Sequence, residues 1–256
     1  MTRIMRLFLL ALFLCAALLG PAGCGQQPPP EKPKLNLYVA AGLKKPMDAV
    51  IAAFQKDQGA AVTVNYGPSG GLYAQIKEGQ PCDLYFSADW LYIEKLQKDQ
   101  KLVEGHKFLK DNVVLIVSPK GEAKVKSVND LANKGVTLVI ADPQAPAGAY
   151  AETALKKLGL WEKVNAAGTL KARPSTVNQV AIIVKEDQVD AGLIYSSVAR
   201  GYDVKIVQTL SEDFTGEIIF AAGVIKGGNE KLAREFYTYA RQHIAEFTNY
   251  GWQAYE

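Results

Sequence analysis

LNLYVAAGLKKPMDAVIAAFQKDQGAAVTVNYGPSGG, residues 35–71, settles the fold class before the rest of the chain is read. It opens on Leu35-Asn36-Leu37-Tyr38-Val39, a short, largely apolar run of the kind a buried strand uses. Met47, Val50, Ile51 and Phe54 then recur at helical spacing, and Gly59 supplies a stop. Val62-Thr63-Val64-Asn65-Tyr66 reads as a second strand. Leu72 and Ile76 mark a short helix after it, and Asp83-Leu84-Tyr85-Phe86 a third strand. This βαβαβ order predicts a parallel sheet with helices on both faces, an α/β protein.

Toward the C-terminus the pattern restarts. Residues 113–117 and 136–140 read as strands, 147–158 and 177–187 as helices, and Leu193-Ile194-Tyr195 as a further strand. Strands at 204–207 and 218–224 follow, with a long helix from near Asn229. Two α/β lobes facing a cleft fit this better than one very wide sheet. Lobe one is expected over 34–111 plus 206–256, and lobe two over 112–205.

Toward the N-terminus, Arg3 and Arg6 precede an unbroken apolar run over 7–19, then Gly20-Pro21-Ala22-Gly23-Cys24. A basic start, a short apolar core and small residues predict an export signal, 1–23, shorter than the roughly 20 apolar residues of a membrane span. Ala22-Gly23-Cys24 resembles the lipobox of bacterial lipoproteins, which implies lipidation of Cys24 and a membrane anchor. Pro21 stands where that motif usually has Leu, so ordinary signal-peptidase cleavage stays open. Residues 24–33 form a Pro-rich tether, extended enough to span roughly 30 Å. Cys15 leaves with the signal, so Cys82 has no disulfide partner and is expected as a small buried hydrophobe.

Composition excludes several classes. With 48% hydrophobic and 21% charged residues the chain folds rather than staying disordered. Its net charge of +3 includes Arg3 and Arg6, and no basic run interleaves with aromatics, so nucleic acid is not an expected partner. H-E-x-x-H, G-x-x-x-x-G-K-[ST], G-x-G-x-x-G and C-x-x-C are all missing. No cofactor or resident metal is expected.

Ligands of open α/β sheets sit beyond the carboxyl ends of strands. Four such ends here carry small or hydroxyl residues: Ala40-Ala41-Gly42, Gly67-Pro68-Ser69-Gly70-Gly71, the stretch 141–148, and Tyr195-Ser196-Ser197. The second and third also open helices, whose free N–H groups and dipole favour an anion. Gly67-Pro68-Ser69-Gly70-Gly71 also matches the G-x-S-x-G nucleophile elbow, so a serine hydrolase using Ser69 is the alternative from another class. It would need a histidine on a loop; only His106, read in a polar loop, and His243, read in the C-terminal helix, exist.

At these residues the chain resembles the periplasmic molybdate-binding protein family. Asp83-Leu84-Tyr85-Phe86-Ser87-Ala88-Asp89 is similar to that family's D-L-F-I-S-A-D stretch. Asp142-Pro143-Gln144-Ala145-Pro146-Ala147-Gly148-Ala149-Tyr150-Ala151 is similar to its D-P-E-x-V-P-A-G-x-Y-A stretch. The likeness runs from about 35 to 252. It implies a type II periplasmic-binding-protein (Venus-flytrap) fold, capture of molybdate or tungstate, and delivery to an ABC transporter permease by an exported, lipid-anchored monomer. It also implies ligand contacts from the Ser69 and Tyr195 hydroxyls and from backbone N–H groups at Ala147 and Val177. Gly42 stands where the family has a ligand-binding serine. It is expected to take positive φ, to offer its amide instead, and to resist Gly42→Ser. Ile194 replaces an acidic ligand found in a related group, which argues against expanded metal coordination. Tyr195 lacks the adjacent tyrosine of ferric-ion binders and reads as a hydrogen-bond donor. A binding protein for another small anion, sulfate or a carboxylate, remains the nearer alternative.

Overall fold

The computed structural model describes residues 32–256. The export signal over 1–23, Cys24 and the tether up to residue 31 lie outside the described residues. Among the described residues eleven strands sort into two sheets. The first holds β1 (Lys34–Ala40), β2 (Ala61–Gly67), β3 (Leu84–Ser87), β4 (Leu102–Asp111), β10 (Ile218–Ile225) and β11 (Gln253–Ala254), in the order β11-β4-β10-β3-β1-β2. The second holds β5 (Val113–Val117), β6 (Leu138–Ile140), β7 (Leu170–Ala172), β8 (Ala191–Tyr195) and β9 (Lys205–Thr209), in the order β7-β6-β8-β5-β9. Helices α1 (Lys44–Gln58), α2 (Ser69–Lys77) and α3 (Leu91–Lys98) join strands of the first sheet. Helices α4 (Pro146–Lys157), α5 (Trp161–Ala166), α6 (Val177–Lys185) and α7 (Ser196–Tyr202) join strands of the second. Short α8 (Glu212–Thr215) lies on the return crossing, and α9 (Glu230–Gln242) and α10 (Ala245–Thr248) follow β10.

β1 lies between β2 and β3 and runs parallel to both, as alternating strands and helices require. Neither sheet is wholly parallel, however. β10 runs antiparallel to β3 and β4, and β5 antiparallel to β8 and β9. These strands sit next to the crossings between the sheets, so no helix crossover imposes a parallel direction on them. β3 and β10 are buried along their whole length, which suits the centre of a sheet covered on both faces. α1 turns Met47, Val50, Ile51 and Phe54 inward, and Phe54 meets the rings of Phe236 at 4.9 Å and Tyr239 at 5.2 Å, both edge-on. The helix ends on Gly59 at φ 64°, a left-handed cap that costs a residue with a side chain more than glycine.

The chain crosses outward through Asn112, between β4 and β5, and returns between β9 and β10. β9 bonds to β5, so the second sheet keeps the chain through Thr209, past residue 205 where the second lobe is expected to end. An edge strand joins its sheet by backbone bonds, and its half-buried side chains do not say which sheet that is. β4 was not legible as a strand, because it runs through Glu104-Gly105-His106-Lys107. His106 therefore sits in a strand, opposite Ala222, rather than in a polar loop.

Candidate functional site

The carboxyl ends of β1, β2 and β8 meet the entry segments of α4 and α6 around one small cavity. Its wall consists of Ala40, Ala41 and Gly42; Gly67, Pro68 and Ser69; Ala88; Ala145, Pro146 and Ala147; Thr176 and Val177; and Tyr195. The centre of a water-sized sphere can move through about 20 Å³ of it, room for a compact ligand and not for a peptide or a sugar. Gly42, Ser69, Ala147, Val177 and Tyr195 all line it. Three of the four strand ends singled out in the sequence contribute directly. The third contributes only through Ala145 to Ala147, while Ala141 to Gln144 and Gly148 stay off the wall.

Local chemistry explains the donors. Extended Pro68, at φ −66° and ψ 138°, turns β2 into α2 and makes Ser69 the first helical residue. Pro146 opens α4, where its missing N–H costs nothing, and places Ala147 in the first turn. Thr176 caps α6: its Oγ1 accepts from the Gln179 N–H at 3.4 Å, and Gln179 Oε1 accepts from the Thr176 N–H at 3.0 Å. Val177 is then the first residue of α6. The N–H groups of Ser69, Ala147 and Val177 thus belong to first turns, which have no intrahelical acceptors. Each also lies at the positive end of a helix dipole.

Two hydroxyls complete the wall. Ser69 is buried, and its Oγ accepts from the Ala88 N–H at 3.0 Å, which leaves its own proton to donate. Tyr195 packs edge-on against Phe220 of the first sheet, centroids 5.0 Å apart, and its hydroxyl reaches the Ala88 carbonyl at 3.3 Å. Burial holds its pKa well above the usual tyrosine value, so Tyr195 stays a protonated donor. Ala88 orients both hydroxyls, a role visible in the sequence only as part of the Ser87-Ala88-Asp89 stretch. None of the described wall residues carries a formal charge.

Gly42 departs from expectation. It lies in a 3₁₀ turn, Ala41–Leu43, and is not among the residues at positive φ. A Cβ there would meet Val177 Cγ1 and Val198 Cγ2 at 3.4 Å, ordinary contact. The strained-loop expectation is therefore wrong, since the short turn is absorbed by regular 3₁₀ geometry. Gly42→Ser is expected to fold, to gain a few tenths of a kcal/mol from lost chain freedom, and to tighten ligand binding by up to about tenfold. Weaker binding by calorimetry would show that the wall has no room for the hydroxyl.

Other singled-out residues turn away. The Gly70 N–H donates to the Gln144 carbonyl at 2.9 Å, tying the second and third strand ends together. Ser196 and Ser197 both donate to the buried carboxylate of Asp111, Ser196 at 2.7 Å. Burial pushes the Asp111 pKa up, and these hydroxyl bonds oppose the shift. Asp111, at the outward crossing, anchors the segment that carries Tyr195, and nothing in the sequence flagged it. Neither histidine lines the cavity. His106 stacks on Tyr237 at 4.5 Å and His243, which caps the end of α9, on Tyr239 at 4.0 Å. Ser69 thus has no histidine in the wall to take its proton.

A cavity between two mixed α/β sheets, walled by helix N-termini and hydroxyls, defines a class of small-ligand binders. Over residues 35–253 the chain matches the family of bacterial extracellular solute-binding proteins, and it belongs to that family. It is 31% identical over 231 residues to YvgL of Bacillus subtilis (strain 168), provisionally described as an ABC transporter substrate-binding lipoprotein, with 88% of each chain covered. It is 29% identical over 234 residues to the molybdate-binding protein ModA of Escherichia coli (strain K12), covering 86% of this chain and 89% of that one. Among solved structures, the periplasmic molybdate-binding protein of Azotobacter vinelandii superposes with a TM-score of 0.76 at 24% identity, over 87% of this chain and all of the other. The fold is that of the type II periplasmic binding proteins.

Proposed function

We propose that this protein captures molybdate or tungstate outside the cytoplasm and delivers it to an ABC transporter permease. One observation carries the reading: backbone and hydroxyl donors from both sheets converge on a cavity with no charged side chain and room for one compact ligand. A fully deprotonated oxyanion only accepts hydrogen bonds, so every donor finds a partner. A protonated phosphate brings a hydrogen that such a wall leaves unpaired, at about 1–3 kcal/mol. The likeness to ModA chains supports the choice of anion. Gly42, Ser69, Ala147, Val177 and Tyr195 are the proposed ligand contacts.

In this reading the two sheets are the cores of two lobes, which close over the anion about the crossings at Asn112 and between β9 and β10. The protein acts as a monomeric binder and not as an enzyme. It is held at the outer face of the membrane by lipid on Cys24, which the likeness to YvgL supports.

Residues 25–256 should gain thermal stability from molybdate. At about 100 times its dissociation constant the ligand adds about 2.7 kcal/mol. A calorimetric panel of molybdate, tungstate, sulfate and phosphate tests the assignment. No response to the first two would overturn it, and a preference for sulfate would keep the clamp and change the ligand.

A further inference from the structure

Behind Gly42 lies a second, smaller cavity, which shares that residue with the ligand site. The centre of a water-sized sphere can move through about 10 Å³ of it, close to the least volume that holds one water molecule. Its wall draws on segments next to both sheets: Gly42 after β1 and Trp252 before β11 of the first, Asn178 in α6 and Ser197 and Val198 in α7 of the second.

Two wall residues present buried polar atoms with no partner among the described residues: the acceptor Asn178 Oδ1 and the donor Trp252 Nε1. The Trp252 side chain is 3% exposed. Such groups are costly to leave unpaired, and one water in the cavity can accept from the indole N–H and donate to the amide oxygen. A cation fits poorly. The Lys45 ammonium stands in the same wall, where it donates to the Gly201 carbonyl and rests on the Tyr202 ring at 4.2 Å from its centroid.

The other end of the Asn178 amide crosses the seam. Its Nδ2 donates to the Ala41 carbonyl at 2.7 Å, so the bond runs from the residue after Val177 in α6 to the residue before Gly42 in the turn that follows β1. A single side chain thus joins the two halves next to two of the proposed ligand contacts. We propose that Asn178, one enclosed water and Trp252 form a seal behind the anion, which holds the closed clamp together and sets the rate at which ligand escapes. Asn178 is a positioning residue here: it acts through Ala41 and the turn that carries Gly42.

This inference rests on the proposed function for the ligand but not for the water, and the experiment separates the two. With ¹⁵N-labelled indoles the protein gives signals from Trp90, Trp161 and Trp252. Trp252 is expected to show a cross-peak to a long-lived water, with or without 1 mM molybdate, and to shift in Asn178→Leu while the other two do not. Absence of that cross-peak in both conditions overturns the seal, whatever the ligand. In stopped-flow with molybdate, Asn178→Leu and Trp252→Phe should each release ligand about three- to tenfold faster, the size of one lost neutral hydrogen bond, with association little changed. Trp252→Phe keeps the ring packing, so it decides the matter if Asn178→Leu folds poorly. Unchanged release in a folded Trp252→Phe also overturns the seal. A wild-type chain that shows the cross-peak but ignores molybdate would refute the proposed ligand alone.

Discussion

Gly148→Ala is expected to cost the protein both stability and ligand. A Cβ on Gly148 would lie 2.2 Å from the Ala141 carbonyl oxygen and 2.4 Å from that of Asp142, both backbone atoms with little freedom to yield. The first turn of α4 must then slide off the end of β6, and the Ala147 N–H moves with it. Overpacking of this kind costs about 1–3 kcal/mol in stability. The displaced donor and the distorted wall should weaken anion binding by more than about tenfold, or 1.4 kcal/mol. Thermal unfolding and calorimetry on the same preparation measure both effects. A destabilised variant with unchanged affinity would show that Ala147 does not touch the ligand.

Removing either hydroxyl should weaken binding by roughly 10- to 150-fold, since a hydrogen bond to a charged acceptor is worth about 1.5–3 kcal/mol. The two variants differ in a second way. Ser69→Ala deprives the buried Ala88 N–H of its acceptor, so that variant should also melt earlier. Tyr195→Phe removes only a long bond to the Ala88 carbonyl and keeps the ring against Phe220, so its stability should stay close to that of the wild type. Equal affinities for Tyr195→Phe and wild type would exclude Tyr195 from the site. Ester hydrolysis by the wild type that vanishes in Ser69→Ala would revive the hydrolase.

What could be read in the chain depended on whether side chains alone report it. β1, α1, β2, α2 and β3 were legible because each buries one face or a whole strand, which leaves a periodic mark. β4 was not, since its half-buried stretch 104–107 reads as polar and its membership rests on backbone bonds to β10. For the same reason the expected boundary at 205/206 falls inside β9, whose pairing to β5 its side chains do not report. Within the site, Ser69, Ala147, Val177 and Tyr195 were reached by resemblance, and two helix N-termini, those of α2 and α4, by turn chemistry. Asp111 and Asn178 left no local signal, because each acts on a residue more than eighty positions away. Gly42 was misread for a different reason. A glycine in a short turn suggests positive φ, but a 3₁₀ turn accepts any residue.

The uncharged wall has an electrical consequence. A captured dianion enters with its charge unmatched by any side chain around it. The whole chain carries a formal +3, and in the proposed reading, in which Arg3 and Arg6 leave with the export signal, the remainder is left at about +1. Loading would carry it to about −1, so empty and filled molecules would drift toward opposite electrodes at neutral pH. A transporter or an anionic membrane surface would then meet two particles of opposite sign, and occupancy could be sensed at a distance before any contact is made.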